Sequence, residues 1–332
     1  MSTGEVSLQP RRGIGKLLAG RKQEVIIGAV PYAILAVLVG LYGYLQPESL
    51  ARDQLVLTMN LALVLMLAGV GQTFVLLSGG IDLSVAGVMS VANVVAAVHI
   101  STSSRTVWVT LLIVALGWVP GAINGLLIVY FNLQPFIVTL GTWFVWAGIA
   151  FYILPTAGSS FVHERYAQLA GGTMLGVDNT VWFVVGVALF GMWFLRTRIG
   201  IEIRAVGADL TSARLAGVRT DVATIVAYSL CSLFATMAGL ILASQSLSGD
   251  PSVGDKYLLS SIAAAVVGGT SLFGGSATVV GTIVGALVLG YISRVTFAFE
   301  LAPEWALIFA GSLLVGAVAL QGLVRAFVGR RQ

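Results

Sequence analysis

Catalysis needs nucleophiles, acids, bases or metal ligands within reach of one another, and this sequence is poor in all of them. Its only histidines, His99 and His163, have no Cys, His or carboxylate at metal-ligand spacing, so no metal site is expected. Cys231 is the sole cysteine, which excludes an intrachain disulfide; within YSLCSLFATM it reads as a small packing residue. No GxSxG, HExxH or CxxC occurs, and none of Lys16, Lys22 and Lys256 sits in a Walker-type phosphate loop. The chain is therefore expected to be no enzyme, to carry no cofactor and to hydrolyse no ATP by that route.

What remains is a sparse polar set inside apolar sequence. Asp82, in LLSGGIDLSVAG, is the only formal charge between Asp53 and Arg105. Gly79 and Gly80 break the helix before it, and its carboxylate is placed to accept from the N–H of Ser84 or Val85, capping the helix that follows. A charge at a helix centre is unfavourable by about 2.5–3.5 kcal/mol, so Asp82 is expected near one membrane face, in protein or facing water. Asn60, Gln72, Asn93, Asn124, Thr139, Thr142 and Gln245 are the uncharged members. Asn60, Gln72, Asp82, Asn93 and Asn124 are the candidates for lining a path for a neutral hydroxylated solute; the competing reading is helix-to-helix hydrogen bonding, worth about 0.6 kcal/mol each. Trp143 and Trp146 share a helix face and would either stack on a sugar ring or pack helices together.

The elements that must position these residues follow from composition. Of 332 residues 58% are hydrophobic and 10% charged, far below the roughly 25% charged of a soluble domain. Apolar runs near 20 residues recur throughout, whereas the ten-residue alternation of a membrane β-barrel does not. The expected fold class is an all-α polytopic membrane protein of about ten transmembrane helices with broken or re-entrant segments. The expected spans are 25–45, 55–77, 82–100, 107–131, 136–154, 180–195, 221–245, 257–270, 277–296 and 303–324, forming one domain over 25–324. A basic tail over 1–24 precedes it and a short tail over 325–332 follows. The first run is longer than a signal h-region and lacks a cleavage site, so it reads as a retained span. Of the 18 Lys and Arg, 13 fall on the side of the termini, which marks the termini as cytoplasmic. The same placement explains the net charge of +4 without a nucleic-acid partner.

Two connections are long. The outer one, 155–179, is expected to hold a short helix lying at the interface. The inner one, 196–220, is expected to hold a short helix capped by Asp209 or Thr211 and ended by Gly217; basic and amphipathic, it could rest on anionic lipid. DLSV at 82–85 and DPSV at 250–253 each follow a Ser/Gly-rich break, as a five-plus-five inverted repeat would require. Gly274 and Gly275 mark a further break. Composition alone leaves a gradient-driven carrier or channel open beside a subunit driven by a partner.

Three stretches favour the partner-driven subunit, with the gradient-driven carrier or channel kept as the alternative. GQTFVLLSGGIDLSVAG (71–87), RAVGADLTSARLAGV (204–218) and VVGGTSLFGGSATVVGTIVGALVLG (266–290) resemble, in order and spacing, the permease subunits of bacterial ribose-type ABC sugar importers. The resemblance implies an inner-membrane permease that pairs with itself or a close relative, receives a monosaccharide from a periplasmic binding protein and is driven by a cytoplasmic ATPase. It also implies that Gly207 to Gly217 is the coupling segment docking on that ATPase, with Ala213, Leu215 and Ala216 as apolar contacts and Arg214 as a polar one. The chain departs from the family where Gly207, Ala208 and Asp209 replace a Gly-Gly-Asn and where Ala86 and Ala277 replace glycine, which bears on break geometry and substrate preference.

Overall fold

The computed structural model describes residues 14–329, with side chains described over 28–323. The expected tails, 1–24 and 325–332, therefore fall wholly or partly outside the described residues. Fourteen α-helices are described: α1 (Ile14–Leu45), α2 (Arg52–Leu77), α3 (Val85–His99), α4 (Ser103–Leu116), α5 (Val119–Tyr130), α6 (Pro135–Ile153), α7 (Gln168–Gly171), α8 (Asn179–Phe194), α9 (Arg198–Ala208), α10 (Leu210–Leu215), α11 (Thr220–Ser246), α12 (Leu258–Val267), α13 (Val279–Ala298) and α14 (Glu304–Gly329). The described β-structure is a two-stranded ribbon, Thr173–Met174 with Val177–Asp178, and an isolated bridge between Phe161 and Ser248. This is an all-α polytopic membrane protein.

Each expected span has its helix, but not all are full crossings. Seven are long and apolar enough to cross a membrane: α1, α2, α4 with α5, α6, α11, α13 and α14; α8 with α9, bent by 73°, makes an eighth if counted as one span. α3 has 15 residues and α12 only 10, about 22 and 15 Å of rise, so neither spans 30 Å of hydrocarbon alone. These two short helices follow the two Asp-x-Ser-Val breaks.

At the centre lie α2 and α11. Both are apolar on every side, as a helix surrounded by other helices must be, and most of each is buried. Close approach is set by small residues. Gly121 and Gly125, four apart on α5, lie directly on the backbone of α11 at Tyr228 and Ile225. Gly281 and Gly285 on α13 do the same against Gly268 and Ala264 of α12. Helices in lipid gain from packing rather than from water exclusion, and a missing side chain lets backbones touch. At the periphery, α14 buries none of its span.

The 155–179 connection holds short helical elements, as expected. Its 3-10 turn, Glu164–Ala167, and α7 pack on α11, burying Tyr166 to 1% exposure. The Ser244 hydroxyl donates to the Tyr166 carbonyl at 2.7 Å, and Asn60 of α2 donates to the Ala170 carbonyl at 2.9 Å. Burial pushes the Tyr166 phenol up to about 12.

Candidate functional site: a junction of two helix breaks

The first break begins where α2 ends. Gly79 takes φ +83°, a backbone that a side chain disfavours, and Gly80 leaves room for the Tyr228 hydroxyl of α11. Asp82 follows, fully buried in protein, one of the two surroundings expected for it. Its Oδ1 accepts from the Ser84 N–H at 2.9 Å and from the Ser84 hydroxyl at 2.6 Å, so the expected cap at the start of α3 is present. The rest of the polar set closes around it. Gln72 Nε2 donates to the Asp82 carbonyl at 2.7 Å, Asn124 Nδ2 of α5 donates to Ser84 Oγ at 2.8 Å, and the Cys231 thiol of α11 donates to Gln72 Oε1 at 3.6 Å. Thr139 of α6 donates to the Ile81 carbonyl at 3.1 Å. Four helices thus hold seven residues of interrupted backbone, while Asp82 Oδ2 and Asn124 Oδ1 keep no hydrogen-bond partner among the described residues.

The second Asp-x-Ser-Val segment repeats the local turn. Asp250 Oδ1 accepts from the Ser252 N–H and from the Ser252 hydroxyl, both at 2.8 Å. Here α3 is the support: Asn93 Oδ1 accepts from the Asp250 N–H at 2.8 Å and Ser90 Oγ from the Gly254 N–H at 3.1 Å.

Five expected path residues are therefore distributed over three places. Gln72, Asp82 and Asn124 meet in the first break, Asn93 holds the second, and Asn60 ties α2 to Ala170, Thr180 and Gln245. Gln72, Asp82, Asn93 and Asn124 are all at 0% exposure, and none lines a described cavity. Trp143 and Trp146 are half-buried; the Trp143 carbonyl and the Trp146 Cβ lie against Gly87 of α3.

The helix-break glycines gather on the 196–220 connection. Gly207, near the end of α9, lies directly on the Leu77 carbonyl at the end of α2 and against the N–H of Gly275; Gly274, at φ +85°, lies on the Gly207 carbonyl. The Gly275 N–H donates to the Leu77 carbonyl at 3.1 Å, joining the two break loops beneath α9. Sequence reasoning named Gly79, Gly207, Gly274 and Gly275 but not their meeting, which no local pattern carries. Beside them opens a cavity of about 490 Å³ lined by Gly79, Gly80, Gly207, Asp209, Arg214 and Tyr228 among others.

α10 has the expected form. Asp209 caps it by accepting from the Ser212 N–H, and Gly217 ends it at φ +77°. These bonds hold the Asp209 carboxyl below its ordinary value of 3.8. Leu215 is 86% exposed and Ala216 is exposed, whereas Ala213 is buried at 5% and so is turned inward, not available as an outward contact. Arg214 Nε donates to Thr220 Oγ1 at 3.4 Å. Glu202 of α9, buried, pairs with Arg198 at 2.9 Å and Arg219 at 3.8 Å, which fixes α9 to the start of α11. Among the described residues no group of three or more His, Cys, Asp or Glu could hold a metal ion.

Interrupted helices packed in a polytopic bundle, their breaks joined beneath an outward-facing helical turn, define a membrane permease. The chain belongs to the branched-chain amino acid transport system/permease component family, whose pattern it matches over residues 54–318. Among its relatives, the ribose import permease protein of Escherichia coli is 33% identical over 266 residues, covering 78% of this chain and 83% of the relative. That of Haemophilus influenzae is 29% identical over 292 residues, covering 86% and 90%. The autoinducer 2 import system permease protein of Salmonella typhimurium is 33% identical over 292 residues, covering 87% and 83%. No solved structure matches the chain.

Proposed function

We propose that the chain is the inner-membrane permease subunit of an ATP-driven importer of a monosaccharide or related polyol. A cytoplasmic ATPase docks on the segment from α9 to Gly217, a periplasmic sugar-binding protein delivers the solute, and a second permease subunit completes the path; the termini are cytoplasmic. The observation that carries this reading is Gly207. The segment assigned to the ATPase rests by bare backbone on both break loops, so a displacement of α9 and α10 reaches the end of α2 and the loop before α13 with no side chain between to yield. Interiors packed this closely switch between arrangements rather than deform gradually, and alternating access is such a switch. Leu215 and Ala216, exposed at the tip, are the docking contacts; Gly207 and Ala213 lie behind them and transmit. Gln72, Asp82, Asn93 and Asn124 shape the breaks rather than touch solute. The lipid-resting alternative for α10 leaves the contact at Gly207 without a use.

The test is Leu215→Asp with Ala216→Asp, in vesicles supplied with the partner ATPase and binding protein. Ribose is the first probe, with other pentoses and hexoses following. The double variant is expected to insert normally, to stop co-purifying with the ATPase and to lose uptake. Uptake at the wild-type rate would remove the assignment.

A further inference from the structure

The second break places charge where a membrane protein has little use for it. After Asp250 the chain turns back along α3, held by Asn93 and Ser90, until Gly254 lies on the Ala86 carbonyl. The 3-10 turn Asp255–Tyr257 then leads into α12. Its depth is fixed by its neighbours. Lys256 and Ser260 line a cavity of about 550 Å³ with Leu61, Ala62 and Leu65, the middle of the 26-residue α2. Lys256 is exposed there, Asp255 before it on the same turn is exposed too, and Leu259, one turn on, is 64% exposed. Neither charge has an ion pair among the described residues; the Lys256 ammonium lies 5.2 Å from the centre of the Tyr257 ring.

An adjacent acid and base facing hydrocarbon at mid-membrane are strongly disfavoured, so this face looks onto protein and water instead. Three features choose the cover. An acid and a base on one turn are self-complementary across a two-fold axis, where residue i meets j and j meets i. The turn carries no net charge, which suits a neutral solute. Trp143 of α6 stands beside Asp255, giving an aromatic surface next to a carboxylate and an ammonium, the groups that bind a ring and its hydroxyls.

We propose that Asp255 and Lys256, with Trp143 alongside, line the solute path where this chain meets a second copy of itself, and that they take a neutral polyhydroxylated solute. The proposal rests on the permease reading above and supplies the contacts that the buried polar set does not.

Single cysteines test it, because Cys231 is fully buried and silent to charged reagents. In native membranes, Lys256→Cys and Leu259→Cys are expected to react with a charged methanethiosulfonate at least tenfold faster than Leu189→Cys, an exposed α8 position in the span's interior. A short bis-maleimide is expected to join two copies through Leu259→Cys. Asp255→Asn and Lys256→Gln are expected to cut ribose uptake about tenfold while the ATPase still co-purifies, a pattern opposite to that of the Leu215/Ala216 variant. Labelling at 256 and 259 as slow as at 189 overturns the proposal, as does a cross-linked product of any mass other than two copies, or its absence. Failure of the coupling assignment would leave the labelling result untouched.

Discussion

Gly207→Ala adds one methyl group at the point where three backbones meet. The new Cβ would fall on the Leu77 carbonyl oxygen, well inside contact distance, and 2.8 Å from the Gly275 nitrogen. Both obstacles are backbone, and the second belongs to the bond from Gly275 N–H to the Leu77 carbonyl, so neither can swing aside as a side chain would. Overpacking of this kind costs about 1–3 kcal/mol. Against it stands the helix preference of Ala over Gly, at most ~1 kcal/mol, and less here because Gly207 is the penultimate residue of α9. The net expectation is a loss of about 1–2 kcal/mol. Gly186→Ala is the matched control: it lies inside α8 with nothing within 4 Å of a built Cβ, so there the propensity gain stands alone at about 0.5–1 kcal/mol in favour. Thermal melting of the detergent-purified protein, followed by the loss of its monodisperse chromatographic peak, should move down for 207 and level or up for 186. Uptake should fall in the first and persist in the second. Equal melting temperatures for the two variants, with equal uptake, would refute the view that the three backbones are in contact and that the contact is used.

Two further outcomes follow from the same junction. Asp82→Ala removes the acceptor of both Ser84 bonds and is expected to destabilise by about 1–3 kcal/mol, whereas Asp82→Asn retains an oxygen there and should stay near wild type in melting; indistinguishable melts for the two would show that the cap contributes nothing. Because the Asp209 carboxyl is held below 3.8 by the N–H groups it caps, its contribution to α10 is complete above that value and is lost as pH falls through its folded value; a spin label at Ser212 should therefore report an ordered α10 at pH 5 and a loosened one near pH 2, and loosening already complete at pH 5 would contradict the cap.

How much of this was open to a reader of the sequence depends on the range of the interaction. The breaks were legible because Gly79, Gly80, Gly274 and Gly275 interrupt apolar runs, and a positive φ is needed at three of them. The cap on α10 was legible because Asp209 and Ser212 lie three residues apart. Ala213 was misjudged because a helix of six residues is too short for its apolar period to say which side faces inward. The polar residues of the spans were found by type, but type does not say whether an amide faces a solute or a neighbouring helix. Gln72, Asn93 and Asn124 all bond to the break segments, across separations of 10, 157 and 40 residues.

The distinction matters for where selectivity resides. A fully buried amide that no described cavity reaches has nothing to offer a passing hydroxyl, and withdrawing it leaves unpaired groups behind in a medium that cannot solvate them. Residues free to exchange partners must instead be exposed in the single chain and dear to expose to lipid. Among the charged side chains, Lys256 combines exposure with a place beside the middle of α2, and exposed Asp255 precedes it on the same turn, whereas Asp82, the charge most conspicuous in the sequence, is exposed to nothing. The same three-residue turn, Asp-x-Ser, thus serves two ends in one chain: at 82 it closes a break against the bundle, and at 250 it turns the backbone so that Asp255 and Lys256 emerge from it after Val253 and Gly254.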